Sequence, residues 1–529
     1  MVSIPFTQEW LARNRVTGRL MFATLLVSIT VFNFGFDTTA YSTIQAMDPF
    51  IDRFGQCNAQ GKCSFTATHL SFLNSLPRIT FGVGIVAGEM IGSRYGRRPV
   101  IVVYNVIAMI GSIVSYTSKN YAQILAGRMI VFLYIGMEGW LVPMFQAEIV
   151  PAHMRGAVVV SYVFNHIFGS FIMASVTYVT SQWETAACWK VPVALGIPLP
   201  AIVLLLSWVI PESPRWLLRQ NRDEEALQSL RSMFGNGPNF APEEEMALLK
   251  SSLAEEASRA GASWMDLFRG TNLRRTMIAI ITAFLNQATG QNFISQYGTV
   301  FIKSLNTMNA FEFTLISSGI GCIGPVLTIL TIDRIGRRGL YFTFGLLCSL
   351  SIFTVGALGL ATPTSSVKIA IVSLTMIYGL FYAASFGPVG PVTSSEVPSL
   401  RLRDKSISLS WNVQNVSNFL VSFTLPYLLD AGYADLESKV GFIYGSIGLA
   451  GIVWGYFYFP ELKGRSLEEI DEMFAERVPA RKTRKWISSN PDSIGVRISK
   501  MENSEFPTTS KLQEADGSPG TNHVNSATA

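Results

Sequence analysis

Asp37 and Arg128 are two residues of opposite charge that stand inside long apolar runs of a 529-residue chain. A charged side chain is costly to place in a bilayer, so such residues usually pair or line a wet cavity. Burial favours the neutral carboxylate, whereas a neighbouring arginine favours the charged one. A carboxylate whose proton affinity depends on conformation can couple proton movement to another event. The other interpretation is a static ion pair that joins two helices.

A second chemically distinctive stretch is NQATGQNFISQY at 286–297, which places six polar side chains in an apolar run. Amide side chains both donate and accept hydrogen bonds, which suits ligands rich in hydroxyl groups. We expect Gly290 to mark a point where a helix could unwind. Amides also join membrane helices to one another, but six polar residues in one short stretch exceed what that role needs. The stretch therefore predicts a ligand site.

Arginines recur between apolar runs in two related motifs, GSRYGRR at 92–98 and DRIGRR at 333–338. The pairs Glu148 with Arg155 and Glu396 with Arg403 repeat the same spacing further along. Pro-Glu follows at 211–212 and again at 460–461. Because these polar positions recur in one order at nearly constant separation, they indicate an internal duplication.

The composition places the chain in a membrane, because it is 49% hydrophobic and 15% charged with a mean hydropathy of +0.33. Apolar runs long enough for a helix to cross a core of about 30 Å lie near 20–44, 68–92, 100–117, 121–147, 156–180, 190–210, 273–302, 311–332, 340–361, 367–393, 405–429 and 440–459. Continuous rather than alternating hydrophobicity excludes a closed barrel. The predicted fold is an all-α membrane protein with twelve transmembrane helices in two six-helix halves.

The predicted organisation is a cytoplasmic N-terminus (1–19), a six-helix bundle (20–210), a cytoplasmic helical linker (211–270), a second bundle (271–460) and a largely disordered cytoplasmic tail (461–529). Arginines concentrate in the loops after even-numbered helices, which by the positive-inside rule places both termini in the cytoplasm. The net charge of +5 is ordinary for a membrane protein and gives no argument for nucleic acid as a partner.

The five cysteines do not form a disulfide framework. Cys57 and Cys63 would lie in the first outside loop, where an oxidising environment permits a disulfide. Cys188, at another outside boundary, is a competing partner. Neither the histidines nor the carboxylates show metal-site spacing, so we expect no metal and no cofactor.

The chain resembles the sugar porter family of the major facilitator superfamily over roughly 20–475. The resemblance rests on seven motifs in family order: Gly127-Arg128, PMFQAEIVPAHMRG (143–156), PESPR (211–215), NQATGQN (286–292), DRIGRR (333–338), SSEVP to Arg403 (394–403) and PELKG (460–464). It implies that Asp37 and Arg128 form a proton-coupling pair. The expected substrate-binding residues are Phe34, Asn286, Gln287, Gln291, Asn292, Gln296, Tyr382, Trp411, Gln414 and Asn415.

The resemblance also implies a gate at the cytoplasmic ends of the helices, in which arginines pair with carboxylates and hold the halves together when the site faces outward. The expected gate residues are Arg94, Arg98, Glu148, Arg155, Glu212, Arg215, Arg334, Arg338, Glu396, Arg403 and Glu461. The other interpretation is that these arginines only set topology. The matching carboxylates favour the gate, since a topology signal needs none.

Several positions depart from the family pattern. Val163, Pro391, Gly321 and Asn415 stand where the family has two amides and two tryptophans, and Gln296 stands where an aromatic residue is usual. Three further polar residues in apolar runs are Arg78, Glu138 and His166. Each is open to a structural interpretation as a locally paired side chain, but a cation such as Arg78 facing a cavity could attract an anionic substrate. Hexose therefore cannot be assumed.

The sequence predicts a monomeric secondary transporter of a sugar or polyol, a fungal plasma-membrane protein whose partners are a small-molecule substrate, protons and the bilayer. A transporter of another small organic molecule, such as an organic acid or secondary metabolite, is the first alternative. A nutrient receptor that does not transport is the second. An enzyme is not expected, because the hydrophilic parts carry no phosphate-binding loop, catalytic triad spacing or metal cluster.

Overall fold

The computed structural model describes residues 17–59, 61, 63–150, 155–234, 242–259, 263–399, 401–465 and 467–488. The side chains at 155–160, 255–259, 329, 330, 332, 333, 467 and 468 also fall outside the described part. Most of the predicted N-terminal segment, and the tail beyond residue 488, lie outside the described residues.

The N-terminal half contains the first six spans. Its helices are α1 (Gly18–Ile44), the short α2 (Asp48–Phe54), α3 (Ala67–Tyr95), α4 (Arg97–Tyr116), α5 (Tyr121–Ile149), α6 (Arg155–Thr180), α7 (Ala187–Ala194) and α8 (Pro198–Leu206). Side chains of Thr17, Thr66 and Asn120 cap α1, α3 and α5 by accepting backbone N–H bonds. The sixth span is the pair α7 and α8, interrupted before Pro198.

Three helices form the linker: α9 (Pro214–Arg219), α10 (Asp223–Phe234) and α11 (Pro242–Arg259). Trp216, Leu217, Leu218 and Ala226 are buried in a small apolar cluster to which α11 contributes Met246, Leu249 and Leu253. Exposed ion pairs join α10 to α11, Arg231 with Glu243 at 2.8 Å and Lys250 with Asp223 at 2.5 Å. The linker is helical, as its sequence predicted.

The C-terminal half contains the remaining spans. Its helices are α12 (Gly270–Ala288), α13 (Gln291–Leu305), α14 (Ala310–Ile335), α15 (Arg337–Leu358), α16 (Ser365–Ala384), α17 (Phe386–Glu396), α18 (Arg403–Leu429) and α19 (Val440–Tyr458), followed by α20 (Leu467–Ala475). Within the described residues, ten helical segments are long and apolar enough to cross a membrane. The other two expected spans are α12 with α13, and α18, whose amide side chains lower their hydropathy. All twelve expected spans are therefore helical.

Each half has its own apolar core, and the helices within a half approach closely. At Gly35 on α1, an added Cβ would lie 2.1 Å from the carbonyl oxygen of His166 on α6. At Gly169 on α6, it would lie 2.2 Å from the carbonyl oxygen of Phe32. Glycine at both positions lets the two backbones touch, a common device of membrane helices. Between the halves, α3 packs against α18 and α6 against α14.

We name the two ends of the bundle by their markers. The arginine end carries residues 94–98 and 334–338, and the disulfide end carries Cys57 and Cys63, which the structure joins by a disulfide within a small hairpin (Gln56–Cys57 with Cys63–Ser64). Cys188, the competing partner, is buried and free.

The two halves contact each other at the disulfide end. Lys303 on α13 donates to the carbonyl of Ala46 at 2.6 Å and pairs with Asp48 at 2.6 Å. Ser71 donates to the carbonyl of Phe423 at 2.7 Å. A cavity of about 420 Å³ opens beside Lys303, lined by residues of this end and by none of the amides at 286–297.

Replacing Cys57 and Cys63 together by serine should lower the free energy of unfolding by about 2 kcal/mol, because so short a disulfide loop removes that much chain entropy from the unfolded state. Thermal unfolding of the purified protein with and without reductant measures this. Reduction should shift the wild type and leave the double variant unchanged. A reductant-insensitive wild type that exposes both thiols from the start would contradict the disulfide.

Candidate functional site

The seventh span breaks at Gly290, as predicted from the sequence. Helix α12 ends at Ala288 and α13 begins at Gln291, with Gly290 between them at φ 108°. This left-handed conformation favours glycine, since a side chain there is strained. The break turns the amides on either side of it toward α17 and α18, which form the rest of the site.

Asn286 lies at the centre of a hydrogen-bonded amide network. Its Nδ2 donates to the carbonyls of Phe386 at 2.9 Å and Gly387 at 3.1 Å. Its Oδ1 accepts from Gln287 at 2.7 Å and Gln414 at 3.0 Å. Tyr382, predicted to contact substrate, donates instead to the backbone carbonyl of Asn286 at 2.8 Å. Asn286 and Tyr382 therefore hold the network in place.

Asn418 on α18 extends this network. Its Nδ2 donates to Oε1 of Gln287 at 2.9 Å, and its carbonyl accepts from Asn292 at 3.3 Å. Asn292 also reaches Ser422 at 3.4 Å. Asn418 follows Gln414 by four residues on one helix face, and that spacing was the signal in the sequence.

Gln296 is the amide in this group with free hydrogen-bonding capacity. Its side chain is 7% exposed, and within the described residues both Nε2 and Oε1 are buried without a partner. A buried amide without partners costs free energy, which a polar ligand would recover. Gln291, at the start of α13, is half-buried. Gln296 is therefore the strongest candidate for direct ligand contact.

Gln296→Leu and Asn286→Leu should separate ligand binding from scaffold. Removing Asn286 leaves several buried polar groups unbonded at about 1–3 kcal/mol each, so that variant should unfold at a lower temperature. Gln296→Leu should unfold at or above the wild-type temperature but bind ligand about tenfold more weakly, equivalent to about 1.4 kcal/mol. Thermal unfolding and ligand titration of both variants measure these effects. Equal destabilisation by both substitutions would contradict this division.

Asp37 is buried on α1 and is bonded within the N-terminal half. Tyr134 on α5 donates its hydroxyl to Oδ2 of Asp37, and Asn33 donates to the same oxygen at 3.2 Å. Asn33 also donates to the Tyr134 hydroxyl at 2.9 Å. A Cβ added at Gly196 would lie 2.9 Å from Oδ1 of Asp37, so that glycine leaves room for the carboxylate. Asn33, four residues before Asp37, was visible in the sequence, but nothing in the spacing indicated Tyr134.

Arg128 does not contact Asp37 in this conformation, and their role as a proton-coupling pair stays a prediction. Its guanidinium lies over the rings of Tyr41 at 5.0 Å and Phe132 at 5.7 Å. Its side chain is 2% exposed, and Nε and Nη1 have no hydrogen-bond partner within the described residues. Aromatic rings supply cation–π attraction in place of a carboxylate. The two charges are therefore held apart in this conformation.

At the arginine end, the N-terminal half is anchored by Arg97. Arg97 pairs with Glu148 through contacts of 3.0 and 3.2 Å, and the two side chains are 4% and 6% exposed. Glu212 accepts the backbone N–H groups of Arg97 at 2.8 Å and Arg98 at 3.1 Å. It therefore caps the N-terminus of α4 with a negative charge, where free N–H groups and the helix dipole favour one. Burial raises the pKa of Glu212 above its ordinary value despite these donors.

The C-terminal half repeats the anchor. Arg337 pairs with Glu396 through contacts of 3.0 and 3.3 Å, with side chains 16% and 25% exposed. Glu461 accepts the backbone N–H groups of Arg337 at 3.1 Å and Arg338 at 3.2 Å. Gly336 has φ 87°, and a Cβ there would lie 2.5 Å from a Glu461 oxygen. The duplication inferred from the sequence is therefore seen in the structure as the same three parts in each half: an arginine, the glutamate that pairs with it, and the glutamate that caps the helix.

Within the described residues, the partners of the gate carboxylates include two arginines outside the predicted set, and the gate between the halves stays a prediction. The side chains paired with Glu148 and Glu396 are Arg97 and Arg337, which the predicted set omitted, and each pair lies within one half. The glycine turns before α4 and α15 point the first residue of each helix inward. The residue types alone do not reveal this direction.

The remaining predicted gate residues have other surroundings. Arg94, Arg98 and Arg334 are exposed, and Arg338 donates to the carbonyls of Tyr456 at 3.0 Å and Ala480 at 3.2 Å. In Arg403, Nε and Nη2 are buried without a partner within the described residues, while Arg215 has a contact. The side chain of Arg155 lies outside the described residues.

The other predicted contact residues have the following surroundings. Asn415 donates to the carbonyl of Arg78 at 3.4 Å, and the ring of Phe34 lies 4.2 Å from that of His166. Trp411 precedes Gln414 by three residues, on the same face of α18, and is 44% exposed.

The profile of the family described as "Sugar (and other) transporter" matches residues 23–474. The chain belongs to this family. The low-affinity glucose transporter HXT3 of Saccharomyces cerevisiae is 27% identical over 521 residues, covering 94% of this chain and 90% of that protein. The probable glucose transporter rco-3 of Neurospora crassa is 30% identical over 494 residues, covering 89% and 82%.

The fold also matches a solved member of the major facilitator superfamily. The inward-open structure of the xylose transporter XylE from Escherichia coli aligns with a TM-score of 0.71 at 25% identity, covering 86% of this chain and 99% of that one. The twelve-helix fold in two halves, predicted from the sequence, is therefore confirmed.

Proposed function

We propose that this protein moves a small, hydroxyl-rich solute, a sugar or polyol, across the membrane by alternating access with coupling to protons. The observation that carries the proposal is the amide network at the broken seventh span, where Gln296 is buried and, within the described residues, unbonded. Amides donate and accept at once, as hydroxyl groups do. Membrane transporters bind substrate at broken helices near the midplane between repeats. The glucose and xylose transporters among the similar proteins support the same class of substrate.

Alternating access is supported by the asymmetry of the two ends. Contacts of Lys303 and Ser71 join the halves at the disulfide end. Trp411 is exposed beside the amide network on the arginine-end side. This arrangement suits a conformation that admits solute from the arginine end, and the reverse rocking of the halves would admit it from the other.

Proton coupling is supported by Asp37, which is 4% exposed and bonded to Tyr134 and Asn33 rather than to a cation. A carboxylate that lacks a cationic partner in one conformation and gains Arg128 in another would change its proton affinity during the cycle. We further propose that the arginine end and both termini face the cytoplasm, that the protein resides in the plasma membrane, and that a monomer suffices.

Uptake of labelled sugars and polyols into cells that lack their own transporters tests the proposal. The wild-type protein should accumulate at least one of these solutes above the external concentration, and a protonophore should abolish that accumulation. Accumulation that persists in the presence of the protonophore would refute proton coupling but not transport. An absence of both uptake and binding for every neutral and acidic solute would refute transport.

A further inference from the structure

Three nitrogen-bearing side chains of the N-terminal half have buried donors without partners. Within the described residues, Nε of Arg78, Nε and Nη1 of Arg128, and Nε2 of His166 make no hydrogen bond. Arg78 is on α3, Arg128 on α5 and His166 on α6, so three different helices supply them. Burying one unpaired arginine costs free energy. Two such arginines are not expected in an ordinary apolar bundle interior.

The two guanidinium groups lie near the same aromatic ring. Arg78 lies 5.0 Å and Arg128 5.7 Å from the centroid of Phe132. The ring attracts the faces of both cations. The ring leaves their N–H donors without hydrogen-bond partners. A guanidinium presents its donors in a planar fork, so a partner must match their geometry as well as their charge.

The nearby carboxylates do not neutralise these cations. Asp37 is occupied by Tyr134 and Asn33. Glu138 is fully buried with both oxygens unbonded within the described residues. It lies ten residues beyond Arg128 on α5, about 15 Å along the helix. The cluster therefore presents an excess of positive charge.

The cluster faces the amides of the other half. Asn415 on α18 donates to the carbonyl of Arg78, and Gln414 beside it joins the Asn286 network. Tyr297, the neighbour of Gln296, lies near both Arg78 and Arg128. Within the described residues, unbonded cationic donors of the N-terminal half and an unbonded amide of the C-terminal half thus lie near one contact between the halves.

We propose that the central site takes a polyhydroxylated carboxylate, a sugar acid, with Arg78 binding the carboxylate and Gln296 binding hydroxyl groups. This inference rests on the proposed function and narrows its substrate class. An arginine can bind a carboxylate through two parallel N–H bonds, which recovers the cost of burying both charges. Arg128 and His166 flank that position and add positive charge or donors.

Paired ligands that differ only at carbon 6 test the inference, namely D-glucuronate against D-glucose and D-galacturonate against D-galactose. Affinities of the purified wild-type protein come from ligand-induced thermal stabilisation, because a ligand that binds only the folded state raises its stability. At least one uronate should bind about tenfold or more tightly than its neutral partner, equivalent to about 1.4 kcal/mol.

Variants then assign the preference to a residue. Arg78→Gln should reduce the ratio of uronate to sugar affinity about tenfold, and Arg78→Lys, which keeps the charge without the planar fork, should reduce it partly. Arg53→Gln, an exposed arginine on α2, is the matched control and should keep the wild-type ratio.

The outcomes separate the two proposals. Neutral sugars that bind as tightly as their uronates in the wild type, or a ratio that Arg78→Gln leaves unchanged, would overturn the inference and leave sugar transport standing. If Arg78→Gln does not fold, the wild-type ratio and Arg78→Lys decide. Binding of neither class would overturn both proposals.

Discussion

Asp37→Asn should abolish accumulation of substrate against its gradient while leaving exchange of labelled for unlabelled substrate across the membrane. Asparagine keeps the shape of the side chain and a hydrogen bond with Tyr134, but it cannot take up and release a proton. Without that step the proton gradient cannot drive the transport cycle. The ratio of internal to external substrate concentration should therefore fall to about one. Each factor of ten lost corresponds to about 1.4 kcal/mol of driving force.

The measurement compares accumulation at steady state with counterflow in the same vesicles, with an inward proton gradient imposed. Asp52→Asn is the matched control, because Asp52 is an exposed carboxylate on α2 and should not affect accumulation. Full uphill transport by the Asp37 variant would show that the coupling proton is carried elsewhere. Loss of exchange as well would mean that the carboxylate is needed for the conformational change itself.

Arg97→Leu should destabilise the protein far more than Arg337→Leu, although the two residues hold matching positions in the repeat. Removing Arg97 leaves Glu148 buried without its cation, which typically costs about 3–5 kcal/mol. The Arg337 pair is more exposed, so water can solvate the orphaned Glu396 and the loss should be smaller. Thermal unfolding of the two purified variants in one detergent measures the difference.

The double variant Arg97→Leu with Glu148→Leu provides the control for this experiment. Replacing both partners of a buried pair by apolar side chains is often neutral or stabilising, so the double variant should recover most of the lost stability. Recovery of stability without recovery of transport would show that the pair also serves the conformational cycle. Equal losses for the two single variants would contradict the argument from burial.

The fold could be predicted from the sequence because it depends on features that are read along the chain, namely the lengths of the apolar runs and the positions of the repeated motifs. Apolar runs of sufficient length must be helices in lipid, since a helix satisfies its own backbone groups. The positions of Gly96 and Gly336, with their flanking arginines, revealed the duplication. The break at Gly290 was also predictable, because a glycine among amides interrupts an otherwise apolar run.

The partners within the site were less accessible, because they depend on helix rotation and on side chains distant in sequence. Arg97 rather than Arg98 contacts Glu148 because the turn at Gly96 sets which residue faces inward. Asp37 contacts Tyr134, ninety-seven positions away, and no spacing rule predicts such a contact. Asn286, predicted to contact ligand, is occupied by protein partners, whereas within the described residues the side chain of Gln296 has none.

Helix α13 carries Gln296 near its start and Lys303 two turns later, about 10 Å along one straight rod. Gly290 marks the break before α13, the pivot for any tilt of that helix, and Lys303 bonds to Ala46 and Asp48 of the N-terminal half at the disulfide end. A small tilt about the pivot would displace both residues together. Because Gln296 and Lys303 belong to one helix, a substitution that shifts Gln296 should also alter the contacts that Lys303 makes with the N-terminal half.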